Sequence, residues 1–326
     1  MCGGEKNKIM NTLPYIPTEY NTNPGIKKLE DEPHFIVDSL YPLYRNEIMD
    51  ARSEDIDKYY IEKPSIKNMY NTQQVSATHN LLMKTVSFWM ADTLSKQYKE
   101  IEFESDEDLY VFHNDFTGES TWFNEELNVV QTVKSPLCMC GKKCSGCDEP
   151  QPVYKSLFDN LCSQIQEDVC VMRFDELVSA HVCLPSWWSP AEKMGMGMRE
   201  IHEDVPGMDK TSYDHIWNAC LHKGPYLRYN WALTNTPVLN QHPTKNIGKD
   251  FDNDELFLRI ERQVLHGFSN IGAVVFLIRT YVGDIKTLEP DQRMSIAGAI
   301  EGMNEEELEY KGMTDYRSKI ISTLKS

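Results

Sequence analysis

The chain has 326 residues, with 50 Asp plus Glu against 33 Lys plus Arg and a formal net charge of -17. That length allows a full hydrophobic core, and that charge sets the surface field against nucleic-acid phosphates. No apolar run is long enough for a membrane span and the start, Met1-Cys-Gly-Gly-Glu-Lys, lacks an apolar signal core, so a cytoplasmic protein without a membrane partner is predicted.

Residues 1–30 are rich in Asn, Pro, Thr and Lys without periodicity, which predicts a flexible or surface-wrapped arm. From 31 to 326 a single domain is expected. His34 to Asp50 reads as its first docked element and Gln73 to Tyr98 as a long helix. Strand-like runs near Leu109–His113, Ser120–Phe123 and Leu127–Val133 suggest a meander. A cysteine-rich insertion at about 135–152 follows, then an amphipathic helix over Val153–Glu167 and strands over Val169–Phe174 and Ser179–Leu184. Ser189 as N-cap, Pro190 at the first helical position and Glu192 three residues after the cap predict a helix start. Met194, Met198, Ile201 and His202 then share its apolar side. Ser212–Leu221 is expected helical. Tyr226–Leu233 alternates, with Arg228 and Asn230 on one face; Leu256–Leu265 puts Arg259, Glu261 and Gln263 on one face; Gly272–Val282 is apolar almost throughout. Acidic helices close the chain from Pro290. The pattern is α+β, an antiparallel sheet with packed helices and helical extensions at both ends.

Three places carry candidate chemistry. His202 is either a core-edge imidazole satisfied by a backbone carbonyl or a single axial ligand to a haem iron, since no second histidine stands at metal-pair spacing. Arg259, Glu261 and Arg262 are polar residues in an apolar strand, which is expensive unless they are paired or bind something; a cross-strand ion ladder and a carboxylate clamp both answer, and Arg228 with Asn230 invites the same two readings. Cys138, Cys140, Cys144 and Cys147 could hold zinc or support an iron-sulfur cluster, or form a loose reduced loop. Nine cysteines, several in apolar elements, otherwise read as reduced thiols. A nucleotide-binding fold and a serine hydrolase are disfavoured, because neither Gly-x-Gly-x-x-Gly, a Walker loop nor Gly-x-Ser-x-Gly is present.

The ordered run Leu-Pro-Ser-Trp (184–187), Glu-Lys-Met-Gly (192–195), Ile-His-Glu-Asp-Val-Pro (201–206), Arg-Tyr-Asn-Trp (228–231), Leu-Arg-Ile-Glu-Arg-Gln-Val-Leu (258–265) and Phe-Leu-Ile-Arg-Thr-Tyr-Val (276–282) resembles the haem-dependent oxidative N-demethylase alpha-subunit family over roughly residues 30–320. The resemblance implies a PAS-like haem b domain and a monooxygenase that converts a small secondary or methylated amine, such as dimethylamine, with O2 into a primary amine and formaldehyde. It also implies a separate flavin and iron-sulfur electron donor. A haem-binding sensor on the same fold, without turnover, is the rival reading. Carried onto this chain, the family's histidine falls on His202, with His181 in reserve. The expected cofactor contacts are His202, Lys193, Asn230 and Arg259, and the expected catalytic residues Arg228, Glu261 and Arg262. His266-Gly-Phe and the cysteine cluster depart from the family pattern.

Overall fold

The computed structural model describes residues 13–19, 25–67, 69–106, 108–134, 151–207, 212–247, 250–252 and 255–326. The described strands are β1 (Lys27–Lys28), β2 (Tyr60–Glu62), β3 (Ile101–Asp106), β4 (Leu109–Asn114), β5 (Glu119–Phe123), β6 (Val129–Lys134), β7 (Glu167–Arg173), β8 (Glu176–His181), β9 (Tyr226–Thr234), β10 (Phe257–Phe268) and β11 (Ala273–Asp284). The helices are α1 (Tyr41–Tyr59), α2 (Thr72–Gln97), α3 (Leu157–Ser163), α4 (Pro190–Lys193), α5 (Met198–Ile201), α6 (Ser212–Lys223), α7 (Pro290–Glu301), α8 (Glu305–Tyr310) and α9 (Arg317–Lys325). The described residues form two compact units, one from those within 1–30, 51–63 and 168–326, the other from those within 31–50 and 64–167.

The second unit is a meander in the order β3-β4-β5-β6, every neighbour antiparallel, with α2 and α3. The long helix begins where Asn71 accepts the Gln74 amide, and Leu82, Val86, Met90 and Leu94 recur every four residues as its buried stripe. The expected helix over Val153–Glu167 is shorter. Ser156 caps it at Leu157, all seven of its residues are buried, and β7 has begun by Glu167. Burial on every side, rather than an apolar stripe, explains why its periodicity misled. At the centre of this unit the Arg45 guanidinium bonds Glu119 at 2.7 Å and the Tyr154 hydroxyl at 2.7 Å, and Tyr154 donates to the same carboxylate at 2.6 Å.

The first unit is built on a sheet in the order β1-β9-β10-β11-β7-β8-β2. Its pairs β1/β9, β9/β10, β10/β11, β7/β8 and β8/β2 are antiparallel. The strand that opens this stretch, β7, and the one that ends it, β11, meet at the sheet centre. Gly272, at φ +64, turns the chain between β10 and β11; a Cβ there would lie 2.7 Å from the Phe174 ring. Period-two alternation then assigns the faces. Leu258 and Ile260 of β10 with Leu233 of β9 and Tyr281 of β11 are buried against Ile296, Ile300, Leu308, Ile320 and Leu324 of α7, α8 and α9. On the other face Cys170, Met172, Leu177, Ala180 and Val182 meet Met194, Met198 and Tyr213. Leu13 and Tyr15 pack on the helical side, Tyr15 stacking on Tyr229 at 5.2 Å between ring centroids.

The segment after β8 departs from the expected single helix. It forms two one-turn helices, α4 and α5, because Gly195 takes φ +82 between them. Ser189 makes no side-chain cap bond. The cap instead belongs to α5, where Glu200 Oε2 accepts the Gly197 amide at 2.7 Å. The close neighbours that favour glycine are the Lys63 side chain at Gly195 and the Asp175 carbonyl and carboxylate at Gly197.

Candidate cofactor and ligand cavity

The second face of the large sheet closes a cavity of about 470 Å³ within the first unit. That size is ordinary for a small-molecule or cofactor site. Met172, Leu177, Leu265, Val274, Phe276 and Ile278 supply apolar sheet walls, while Met198, Ile201 and Ile216 close it from α5 and α6. Polar groups enter at defined places: Arg228 and Asn230 from β9, Arg259, Glu261 and Gln263 from β10, Asp168 from β7, Lys193 from α4, and His202 just after α5.

His202 is fixed by its own helix. Its amide and its Nδ1 both reach the Met198 carbonyl, at 3.2 and 2.7 Å. A carbonyl only accepts, so Nδ1 carries the proton and Nε2 keeps a lone pair. No hydrogen-bond partner for Nε2 stands among the described residues. Burial, with the positive charges of Arg228 and Lys193, pushes the ring's pKa down; the Met198 carbonyl works the other way. The ring is therefore a neutral imidazole at physiological pH. Of the two sequence readings, the backbone-carbonyl one describes Nδ1, while Nε2 keeps a lone pair.

Glu261 is the focus of a second cluster. Its Oε1 accepts the Ser186 hydroxyl at 2.8 Å; its Oε2 accepts Gln263 Nε2 at 2.8 Å and Asn230 Nδ2 at 3.3 Å. An ionised carboxylate offers about four acceptor positions, so capacity for a further donor remains. Ser186 Oγ also accepts Arg259 Nε at 2.6 Å, and Arg259 donates to the Leu184 carbonyl at 2.8 Å and the Val238 carbonyl at 3.4 Å. Trp187, at φ +61, follows in a turn held by reciprocal bonds with Gln241.

Of the residues singled out in the sequence, His202, Lys193, Arg228, Asn230, Arg259 and Glu261 come together around this cavity. Arg262 does not. Alternation sends it to the opposite face, where it stands across from Arg279 of β11. His181 is buried beside Tyr60, whose ring lies 5.4 Å away, and is not part of the lining. Cys138, Cys140, Cys144 and Cys147 lie outside the described residues. Among the described residues no group of three or more His, Cys, Asp or Glu side chains could hold a bare metal ion.

Two functional candidates were missed. Asp168 is 3% exposed, lines the cavity and accepts the backbone amides of Cys183 and Leu184; its only sequence signal was weak, an acid beside Glu167 at the head of the apolar run Val169–Met172. Ser186, within the Leu-Pro-Ser-Trp motif, had no role assigned, whereas its hydroxyl bridges Arg259 to Glu261.

A cavity with apolar sheet walls, one neutral imidazole and flanking cations has the lining of a cofactor or small-ligand site, here in an α+β protein. Haem fits this donor set: it needs one protein nitrogen, cations for its carboxylates and apolar walls for its ring. Residues 25–321 match the family model described as haem-dependent oxidative N-demethylase, alpha subunit-like, and the chain belongs to that family. A search of curated proteins returned no match. The family's name speaks of haem, of an oxidative reaction and, as an alpha subunit, of further subunits. No described helix is long and apolar enough to cross a membrane.

Proposed function

We propose that this chain is the haem b subunit of a monooxygenase that removes a methyl group from a small secondary or methylated amine, giving a primary amine and formaldehyde. The observation that carries the reading is His202, neutral, oriented through Nδ1 by the Met198 carbonyl and lining a cavity that Lys193, Arg228 and Glu261 also line. The meeting of β7 and β11 at the sheet centre supports a PAS-like fold. When bound, haem would supply the redox-active iron at which O2 is reduced.

The chain's own residues do the rest. His202 Nε2 would hold the haem iron, its ring orientation fixed and its basicity raised by the Nδ1 bond to the Met198 carbonyl. Lys193 and Arg228, which line the cavity, would supply positive charge for the haem carboxylates. Arg259 has three of its bonds inside the protein, so in this proposal its charge serves the cofactor side from a fixed position. Glu261 accepts a protonated amine with its remaining capacity, Asn230 and Gln263 holding the carboxylate in place. The apolar walls exclude water and strengthen that ion pair. Arg262, on the far face, has no role in this proposal. The overall change consumes one O2, an electron pair and two protons and releases water with the products, which calls for a separate donor such as a flavin and iron-sulfur partner.

The test is purified protein with reductant, O2 and a panel of methylated amines. Formaldehyde formed in step with amine consumed is the expected result. Spectral change on gas binding with no formaldehyde from any amine would favour a haem sensor and overturn the enzyme reading.

A further inference from the structure

Asp168 stands at the start of the central strand β7 with both carboxylate oxygens turned to the backbone of the next turn. Oδ1 accepts the Cys183 amide at 2.7 Å and the Leu184 amide at 3.1 Å, and Oδ2 accepts the Leu184 amide at 3.2 Å. Those amides belong to the stretch that delivers Pro185 and Ser186. Its Leu184 carbonyl receives Arg259, and its Ser186 hydroxyl receives Arg259 and donates to Glu261. A continuous chain of bonds therefore runs from Asp168, through two backbone amides and one hydroxyl, to Glu261, and Asp168 and Glu261 line the same cavity.

We infer that Asp168 is a positioning residue for the Glu261 carboxylate, acting through the 183–186 turn that it holds. The assignment rests on the proposed function in one respect: Glu261 is taken as the acceptor of an alkylammonium ion. Asp168 also adds its own charge to the cavity. Burial raises its carboxyl to about 7, the two amides and Arg259 lower it, and Glu261 raises it further. Arg259 and Glu261 face it from β10 and the Cys170 thiol lies two residues along its own strand, while Lys193, Arg228, His202, Asp204, Tyr310 and Lys311 complete the ionisable lining. His202 is pushed below its ordinary value and Tyr310 above its own, so Asp168 is the group set to ionise near neutrality. Ionised Asp168 strengthens the hold on a cation, so ammonium affinity rises with pH through about 7.

The experiment uses haem-loaded protein and dimethylammonium chloride, read by calorimetry from pH 6 to 8 and by steady-state kinetics. Loss of a buried carboxylate that orders a turn predicts about tenfold weaker binding and a matching rise in KM for Asp168→Ala, with kcat changed by less than about threefold. Asp168→Asn keeps an oxygen for both amides; it should recover binding to within about threefold at pH 6 and lose the pH dependence. At pH 6, where Asp168 is largely protonated and adds little charge of its own, the alanine change should cost nothing further in a Glu261→Gln background, since both then act on one interaction. Wild-type affinity in Asp168→Ala, additive losses in the double variant at pH 6, or an unaltered pH profile in Asp168→Asn would overturn the inference. If the alanine variant fails to fold, the asparagine variant and Ser186→Ala carry the same test, the latter expected to raise KM about tenfold. Amide exchange in residues 183–187 separates this inference from the function reading. Should the wild-type protein bind no ammonium, the demethylase reading falls, and exchange about tenfold faster in Asp168→Ala, restored in Asp168→Asn, still upholds the turn-holding role. Unchanged exchange would overturn it.

Discussion

Replacing Asp168 by Asn isolates one ionisation that the fold has displaced. Its carboxyl moves from 3.8 to about 7, chiefly through burial. The sign follows from proton counting. Between about pH 4 and pH 7 the unfolded chain has released this proton while the folded protein retains it, so this group's contribution makes stability fall as pH rises through that window and level off above it. About three pH units at roughly 1.4 kcal/mol each give a change on the order of 4 kcal/mol. Asn does not titrate; its amide nitrogen near Arg259 adds an offset that does not vary with pH. The stability of Asp168→Asn relative to wild type should therefore rise by about 4 kcal/mol from pH 4 to pH 8. Equilibrium urea unfolding of both proteins at equal haem loading, in half-unit pH steps, measures the difference. A difference constant to within about 1 kcal/mol, or one that falls with pH, would refute the reasoning.

Further expectations follow from particular contacts. Gly195→Ala forces a Cβ onto a residue at φ +82 and toward Lys63, and should destabilise the protein by about 1–3 kcal/mol in urea unfolding. Arg45→Ala leaves Glu119 and Tyr154 buried without their cation and should cost about 3–5 kcal/mol, seen as a lowered urea midpoint of the second unit. Arg228→Ala should weaken haem retention about tenfold in a competition with apomyoglobin while leaving the far-ultraviolet dichroism unchanged.

Much of the large sheet was legible because alternation is a local signal. Tyr226–Leu233 and Leu256–Leu265 emerged as β9 and β10, and Arg228, Asn230, Arg259 and Glu261 fell on one face as their spacing required. The family resemblance over roughly 30–320 agrees with the match over 25–321. What sequence could not carry was long-range or conformational. β3 was missed because its sequence, with only Ile101 and Phe103 apolar among six residues, carries too little local signal and its pairing with β4 defines it. The helix drawn through Met194 and Met198 failed because one positive φ at Gly195 outweighs side-chain periodicity. Asp168 and Ser186 were invisible as a pair, since what joins them is the set of backbone amides between strands, not a residue pattern.

The central claim is that His202 Nε2 is the protein's bond to haem iron, and the most direct measurement is the absorption spectrum of His202→Gly titrated with imidazole. The account predicts a shifted, weakened Soret band that free imidazole restores toward the wild-type spectrum, in a protein whose circular dichroism is unchanged. Full haem loading with an unaltered Soret band before any imidazole is added would contradict it.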